Sequence, residues 1–276
     1  MRDGTTALHT ATYKQNEAVV SALIAAGAGV QARCYDGVSS LLMAAKSGNG
    51  SLVRLLLGAK AEVDSPLRDG GTPLLAAAYK GHANVLSALL DHRASVDACR
   101  PDGLTPLCQA SKAGHTRCVE LLLAAGANIE AAGAVYGTTS LLMASKGGHR
   151  QIVSMLLEHN ADTEVAGRAY GTTSLVAAAQ AGHTEVVQLL LAGGADPQKT
   201  LNDGSNALSK AREHGQAAVV QVLRQAMGHE VYAQGEAQGG EDWVEVSAAA
   251  ESSSGEGGGG DGCGAGGSRA SRSPVA

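Results

Sequence analysis

Between Asp102 and Ala131 the chain holds two short helical patterns of polar and apolar positions, each closed by a glycine. Thr105 is placed to cap the first, and Pro106 stands at its first position, where a missing N–H costs nothing. Gly114 ends it. The second opens at Thr116, sets Val119, Leu121, Leu122 and Leu123 on its apolar face, and stops at Gly126, since glycine accepts the left-handed conformation that closes many helices. Two helices of about ten residues cannot bury their apolar faces against each other alone, so the unit is expected to repeat.

The same register recurs along the chain. Asp-Gly precedes a first helix at Asp3, Asp36, Asp69 and Asp102, 33 residues apart, and again at Asp203; Tyr136-Gly137 and Tyr170-Gly171 take its place after spacings of 34. The first-helix leucine returns at Leu8, Leu41, Leu74, Leu107, Leu141, Leu175 and Leu208. Eleven residues after each comes a second-helix apolar residue: Val19, Leu52, Val85, Cys118, Ile152, Val186 and Val219. The pattern predicts an all-α solenoid of about seven helix-turn-helix repeats near 3–35, 36–68, 69–101, 102–135, 136–169, 170–202 and 203–227. The polar first helix of repeat 1 (Thr10, Thr12, Lys14, Gln15) and the polar repeat 7 read as end caps, and the chain could also be truncated upstream of repeat 1. Repeats 5 and 6 each carry one extra residue before Tyr136 and Tyr170, and insertions in such arrays fall in loops, often on the binding face.

A unit of this form resembles the ankyrin repeat. That family's Thr-Pro-Leu-His start stands as Thr72-Pro73-Leu74-Leu75 and Thr105-Pro106-Leu107-Cys108, and is degraded to Thr6-Ala7-Leu8-His9 and to Thr-Ser-Leu at Thr139 and Thr173. Gly-His of the inter-helix turn is kept at His82, His115, His149 and His183. The resemblance covers residues 3 to about 226. It implies short hairpin loops, a concave side formed by the ends of the first helices with the hairpin tips, and adaptor or scaffold roles in binding other proteins. A fold by itself hosts many functions.

Composition sharpens this picture. There is no Phe and aromatics make up 3% of residues, so the core must be Leu, Val and Ala. Residues 1–227 hold 19 Lys and Arg against 18 Asp and Glu, while residues 228–276 hold 2 against 8; the net charge of −5 belongs to the C-terminal tail. That tail is rich in Gly, Ser, Ala and Glu and is expected to be disordered, with one island, Glu241 to Val246, around the only Trp, Trp243. The five cysteines form no Cys-x-x-Cys pair; Cys108 and Cys118 fall at apolar register positions and read as small core residues, and a reducing compartment fits. No apolar signal region and no run of 18 apolar residues is present, so membrane insertion is not expected. The expected location is cytoplasmic or nuclear, and the expected state a monomer.

Candidate chemistry concentrates in one register position. Lys46, Lys112 and Lys146 come five residues after the first-helix leucine; Lys14 and Lys80 come six after it, beside Tyr13 and Tyr79. The hairpin tips carry Arg33, Tyr35, Arg68, Arg100, Tyr136, Arg168 and Tyr170. In the geometry the resemblance implies, these align into a basic, tyrosine-bearing stripe for a protein partner with an acidic segment. The competing reading is a set of solvated lysines that complement helix dipoles. The histidine row invites a metal, but one repeat spans about 10 Å, too far for shared ligation, so turn histidines bonding backbone groups are expected. No cofactor site, metal site or catalytic grouping is indicated, and a nearly neutral array argues against nucleic acid. Two alternatives remain open: a regulatory chain whose acidic tail masks its own groove, and a nucleic-acid-associated factor.

Overall fold

In the computed structural model the described residues are 4–35, 37–133, 137–168 and 170–235, with side chains described as far as Gly228. They contain fourteen α-helices in seven pairs. In chain order the pairs are α1 (Ala7–Tyr13) and α2 (Glu17–Ala25), α3 (Ser40–Ser47) and α4 (Gly50–Gly58), α5 (Pro73–Lys80) and α6 (Ala83–Asp91), α7 (Pro106–Ala113) and α8 (Thr116–Ala124), α9 (Ser140–Gly147) and α10 (Arg150–Glu158), α11 (Ser174–Ala181) and α12 (Thr184–Ala192), and α13 (Ala207–Glu213) with α14 (Ala217–Gly235). The odd-numbered helices pack in series as an inner row and the even-numbered ones as an outer row. The last helix runs to Gly235, past Gly228 where the repeat pattern in the sequence is lost. The tail from 236 onward, with its Trp243 island, lies outside the described residues, as does Tyr136.

Local chemistry sets each boundary. Thr6, Ser39, Thr72, Thr105, Thr139, Thr173 and Asn206 cap the inner helices, each side chain accepting the backbone N–H three residues on. Gly114 ends α7 at φ 76° and ψ 24°, in the left-handed region. The second helix of that repeat buries Cys118, Val119, Leu122 and Leu123, while Leu121 is only half-buried. The expected apolar face is kept, with Leu121 at its edge, packed against the core but only partly covered. Thr12 is also not exposed as its polarity suggested: it is buried, and its hydroxyl donates to Leu8 O at 2.8 Å.

The core is one continuous cluster of Leu, Val, Ile and Ala running through the repeats. At the hairpins, a carboxylate of one repeat accepts the backbone N–H of the next: Asp64 from Ser95, Asp97 from Asn128, Glu130 from Asp162 and Glu164 from Asp196, with the shorter distance of each pair between 2.9 and 3.1 Å. The hairpins differ in one respect. Cys34 N donates to Val38 O and Leu67 N to Gly71 O, but Gly133 N donates to Thr138 O and Gly167 N to Thr172 O. The extra residue of repeats 5 and 6 is therefore absorbed at the tip, and the helices keep their register.

The first helical position offers a test. Pro73 and Pro106 are buried there, whereas Ser40 and Ser174 stand at the same register with a buried hydroxyl that has no partner among the described residues. Ser39 (φ −91°, ψ 160°) and Thr173 (φ −86°, ψ 167°) are already extended, as a residue before proline must be. Ser40→Pro and Ser174→Pro each should stabilise by about 0.5–1 kcal/mol, by restricting the unfolded chain and removing an unsatisfied hydroxyl. A lower urea midpoint in either variant would show that the site cannot accept the ring.

Candidate functional site

The last turns of the inner helices carry Lys46, Lys80, Lys112 and Lys146, and Lys14 is the residue after α1. All five are exposed. None makes an ion pair among the described residues; Lys80 lies over the Tyr79 ring, 5.6 Å from its centroid. Tyr13, Tyr35, Tyr79 and Tyr170 are exposed, Tyr13 and Tyr170 by more than 70%.

The tip arginines behave differently. Arg33 is engaged: its guanidinium pairs with Glu62 at 2.8 Å and donates to Pro66 O at 3.2 Å. Arg100 pairs with Asp102 at 3.3 Å. The stems of Arg68 and Arg168 lie against Gly37 and Gly137 of the preceding tips. Arg33 and Arg100 thus have their charge met by a carboxylate, whereas the ladder lysines face solvent, as do Arg54, Lys60, Arg68 and Arg93 elsewhere on the surface.

The histidine row and the lysine row are physically joined. His82 Nε2 donates to Lys46 O, His115 to Tyr79 O, His149 to Lys112 O and His183 to Lys146 O, at 3.1–3.3 Å. A carbonyl can only accept, so Nε2 carries the proton in each case. Each turn histidine thus fixes, across a repeat boundary, the backbone of the residue five after the first-helix leucine. In repeat 7 Gln216 takes the same role toward Gln180 O at 3.4 Å. The sequence treats the two rows separately; their coupling becomes visible only when a turn is set beside the preceding helix end, 36 or 37 residues away.

Three of the expected residues, Lys112, Lys146 and Tyr170, border one groove of about 810 Å³ between the inner helices and the hairpin tips of repeats 4 to 6. Lys14, Lys46, Lys80, Tyr13 and Tyr79 lie outside it. The sequence did not single out its floor, which includes Leu142, Met143 and Ala177, or its far wall, Gln180 and His214. Gln180 and His214 bond to each other at 3.2 Å, and His214 Nδ1 donates to Lys210 O at 3.1 Å. The usable signal was the residue three before each ladder lysine: Met43, Gln109 and Met143 share a helix face with Lys46, Lys112 and Lys146.

Two of the free thiols are buried in the core. Cys118 is buried, and desolvation pushes its pKa up to about 11, which keeps it protonated at neutral pH. Cys108 is also buried, its Sγ directed at Ala131 O (3.5 Å) and Ser140 Oγ (3.4 Å). In repeat 1 the equivalent His9 spans a comparable gap, its Nε2 donating to Val38 O at 3.1 Å. Among the described residues no helix is long and apolar enough to cross a membrane.

A serial inner row of capped helices, hairpins stitched tip to tip and a groove between them define a helical solenoid of the protein-binding kind. A family model described as ankyrin repeats in three copies matches residues 1–66, 41–133, 95–167 and 141–235. The chain belongs to the ankyrin repeat family. The human ASB11 ankyrin repeat domain is similar at 30% identity, with 80% of this chain and 98% of that one covered and a TM-score of 0.71. The ankyrin repeat domain of Bcl-3, a member of the IkappaB family, is similar at 29% identity, with 80% and 99% covered and a TM-score of 0.70. No curated protein matches the chain. Arrays of this family are generally protein-protein interaction modules and typically non-enzymatic.

Proposed function

We propose that the chain is a non-enzymatic adaptor or scaffold that binds an acidic segment of a partner protein along the concave side of its repeats, as a monomer in the cytoplasm or nucleus. The observation that carries this reading is the lysine ladder: five exposed ammonium groups with no ion-pair partner among the described residues, five or six positions after the first-helix leucine, four of them in the last turns of successive inner helices. A purely structural role would leave the lysines free to pair with neighbouring carboxylates, as Lys199 does with Glu164 at 2.9 Å and Lys210 with Glu213 at 3.0 Å. Histidine bonds hold Lys46, Lys112 and Lys146 by their own carbonyls. A pre-set backbone lowers the ordering cost of association.

Lys46, Lys112 and Lys146 are each changed to Glu in the full chain, and capture from native lysate is compared with the wild type at equal helicity. Each reversed charge replaces an attraction with a repulsion, so a partner with an acidic segment should lose affinity by roughly tenfold or more. A partner held equally by both proteins would move the binding surface away from the ladder.

A further inference from the structure

The structure singles out one stretch of the ladder. The groove of repeats 4 to 6 lies where the two lengthened hairpins stand, and Gly133, Thr138, Gly167 and Thr172, the residues that close those hairpins, line it. Its floor is apolar at Leu142, Met143 and Ala177, and Lys112 and Lys146 border it. The carboxylate in its lining, Asp102, is already paired with Arg100 at 3.3 Å, and neither lysine has an ion-pair partner among the described residues. At 810 Å³ the groove is of ligand-pocket size.

We infer that this groove is an anchor pocket for an extended peptide of a partner protein, taking one large apolar side chain onto Met143 and flanking Asp or Glu carboxylates onto Lys112 and Lys146. The inference rests on the proposed concave-face reading and narrows it to one place and one ligand chemistry. Apolar floor and cationic rim call for that combination: an acidic segment alone would leave the floor wet, and an apolar one alone would leave the lysines unmatched. The chain carries its own control. Met43 and Lys46 repeat the Met143–Lys146 pair at the same register in α3, but the tips of repeats 2 and 3 are the short kind, Cys34 N to Val38 O and Leu67 N to Gly71 O.

The test is selection of a random peptide library displayed on phage against the full chain. The strongest enriched peptide is then synthesised with a fluorescent label and titrated by anisotropy. The expected peptides place Asp or Glu around one large apolar residue. Their affinity should fall by roughly tenfold or more in Met143→Glu and in Lys112→Glu/Lys146→Glu, and hold in Met43→Glu. The lysine variant alters only exposed side chains, so it answers the question even where Met143→Glu unfolds. Enriched peptides without that pattern, or an equal loss in Met43→Glu, overturn the pocket. Acidic peptides sensitive only to reversal of Lys14, Lys46 and Lys80 overturn the pocket and leave the concave-face reading standing. No enrichment, or binding indifferent to every lysine, overturns both.

Discussion

Replacing Leu122 by alanine lowers the unfolding free energy by about 2–5 kcal/mol, a large share of the roughly 5–15 kcal/mol that holds a domain of this kind together. Leu122 is fully buried in α8, which packs against α6 on one side and α10 on the other. The substitution therefore loses transfer energy, leaves a cavity and loosens two repeat interfaces at once. Stability in such arrays is close to a sum of repeat and interface contributions, so the variant should also broaden the urea transition as the halves on either side of repeat 4 begin to unfold separately. Val19→Ala is the matched control. It shares its register with Val186, which is 1% exposed, yet Val19 itself, in the first of the described repeats, is 44% exposed. Its loss should stay within about 0.5 kcal/mol. Equal effects from the two substitutions would mean that burial, as read from neighbouring repeats, does not govern the energetics.

That contrast shows how far the sequence reaches. Register names the leucines that repeats 1 to 6 bury, while Leu208 of repeat 7 is only half-buried. Repeat 1 breaks the rule: Val19 is exposed at a register buried in the other repeats, and Thr12 is buried with its hydroxyl bonded to Leu8 O within its own helix. The fold was legible because seven copies vote on each position. The groove was not, because it is assembled from different register positions of different repeats. Lys112 and Lys146 were found from a single register, but Met143 comes from the position three earlier, His214 from repeat 7 and Thr138 from a tip. The extra residue before Tyr136 and Tyr170 was visible in the sequence; that it lengthens two hairpins which then wall one groove depends on which hydrogen bonds close them. Arg33 and Arg100 illustrate the reverse: each is basic and sits at a tip, but its charge is already met by Glu62 or Asp102.

The second large effect is expected at Gly114, and its twin is Gly126. Both have positive φ, 76° and 79°, so alanine costs each about 1–2 kcal/mol of backbone strain. Their surroundings differ. A Cβ at Gly126 meets nothing within 4 Å, whereas one at Gly114 lies 2.6 Å from the His149 ring. Gly114→Ala must push that ring away, and with it the bond from His149 Nε2 to Lys112 O, a further loss of about 0.5–1.5 kcal/mol. Gly114→Ala should therefore cost about 2–3 kcal/mol by urea denaturation and Gly126→Ala about half of that. Adding His149→Ala to Gly114→Ala relieves the clash, so the double variant should cost less than the sum of the two single changes. Strict additivity would uncouple the glycine from the histidine. The coupling has a functional side, because the displaced ring is the one that holds the backbone of Lys112. Under the proposed reading, Gly114→Ala weakens capture of an acidic partner while Gly126→Ala does not, at temperatures where both variants remain folded.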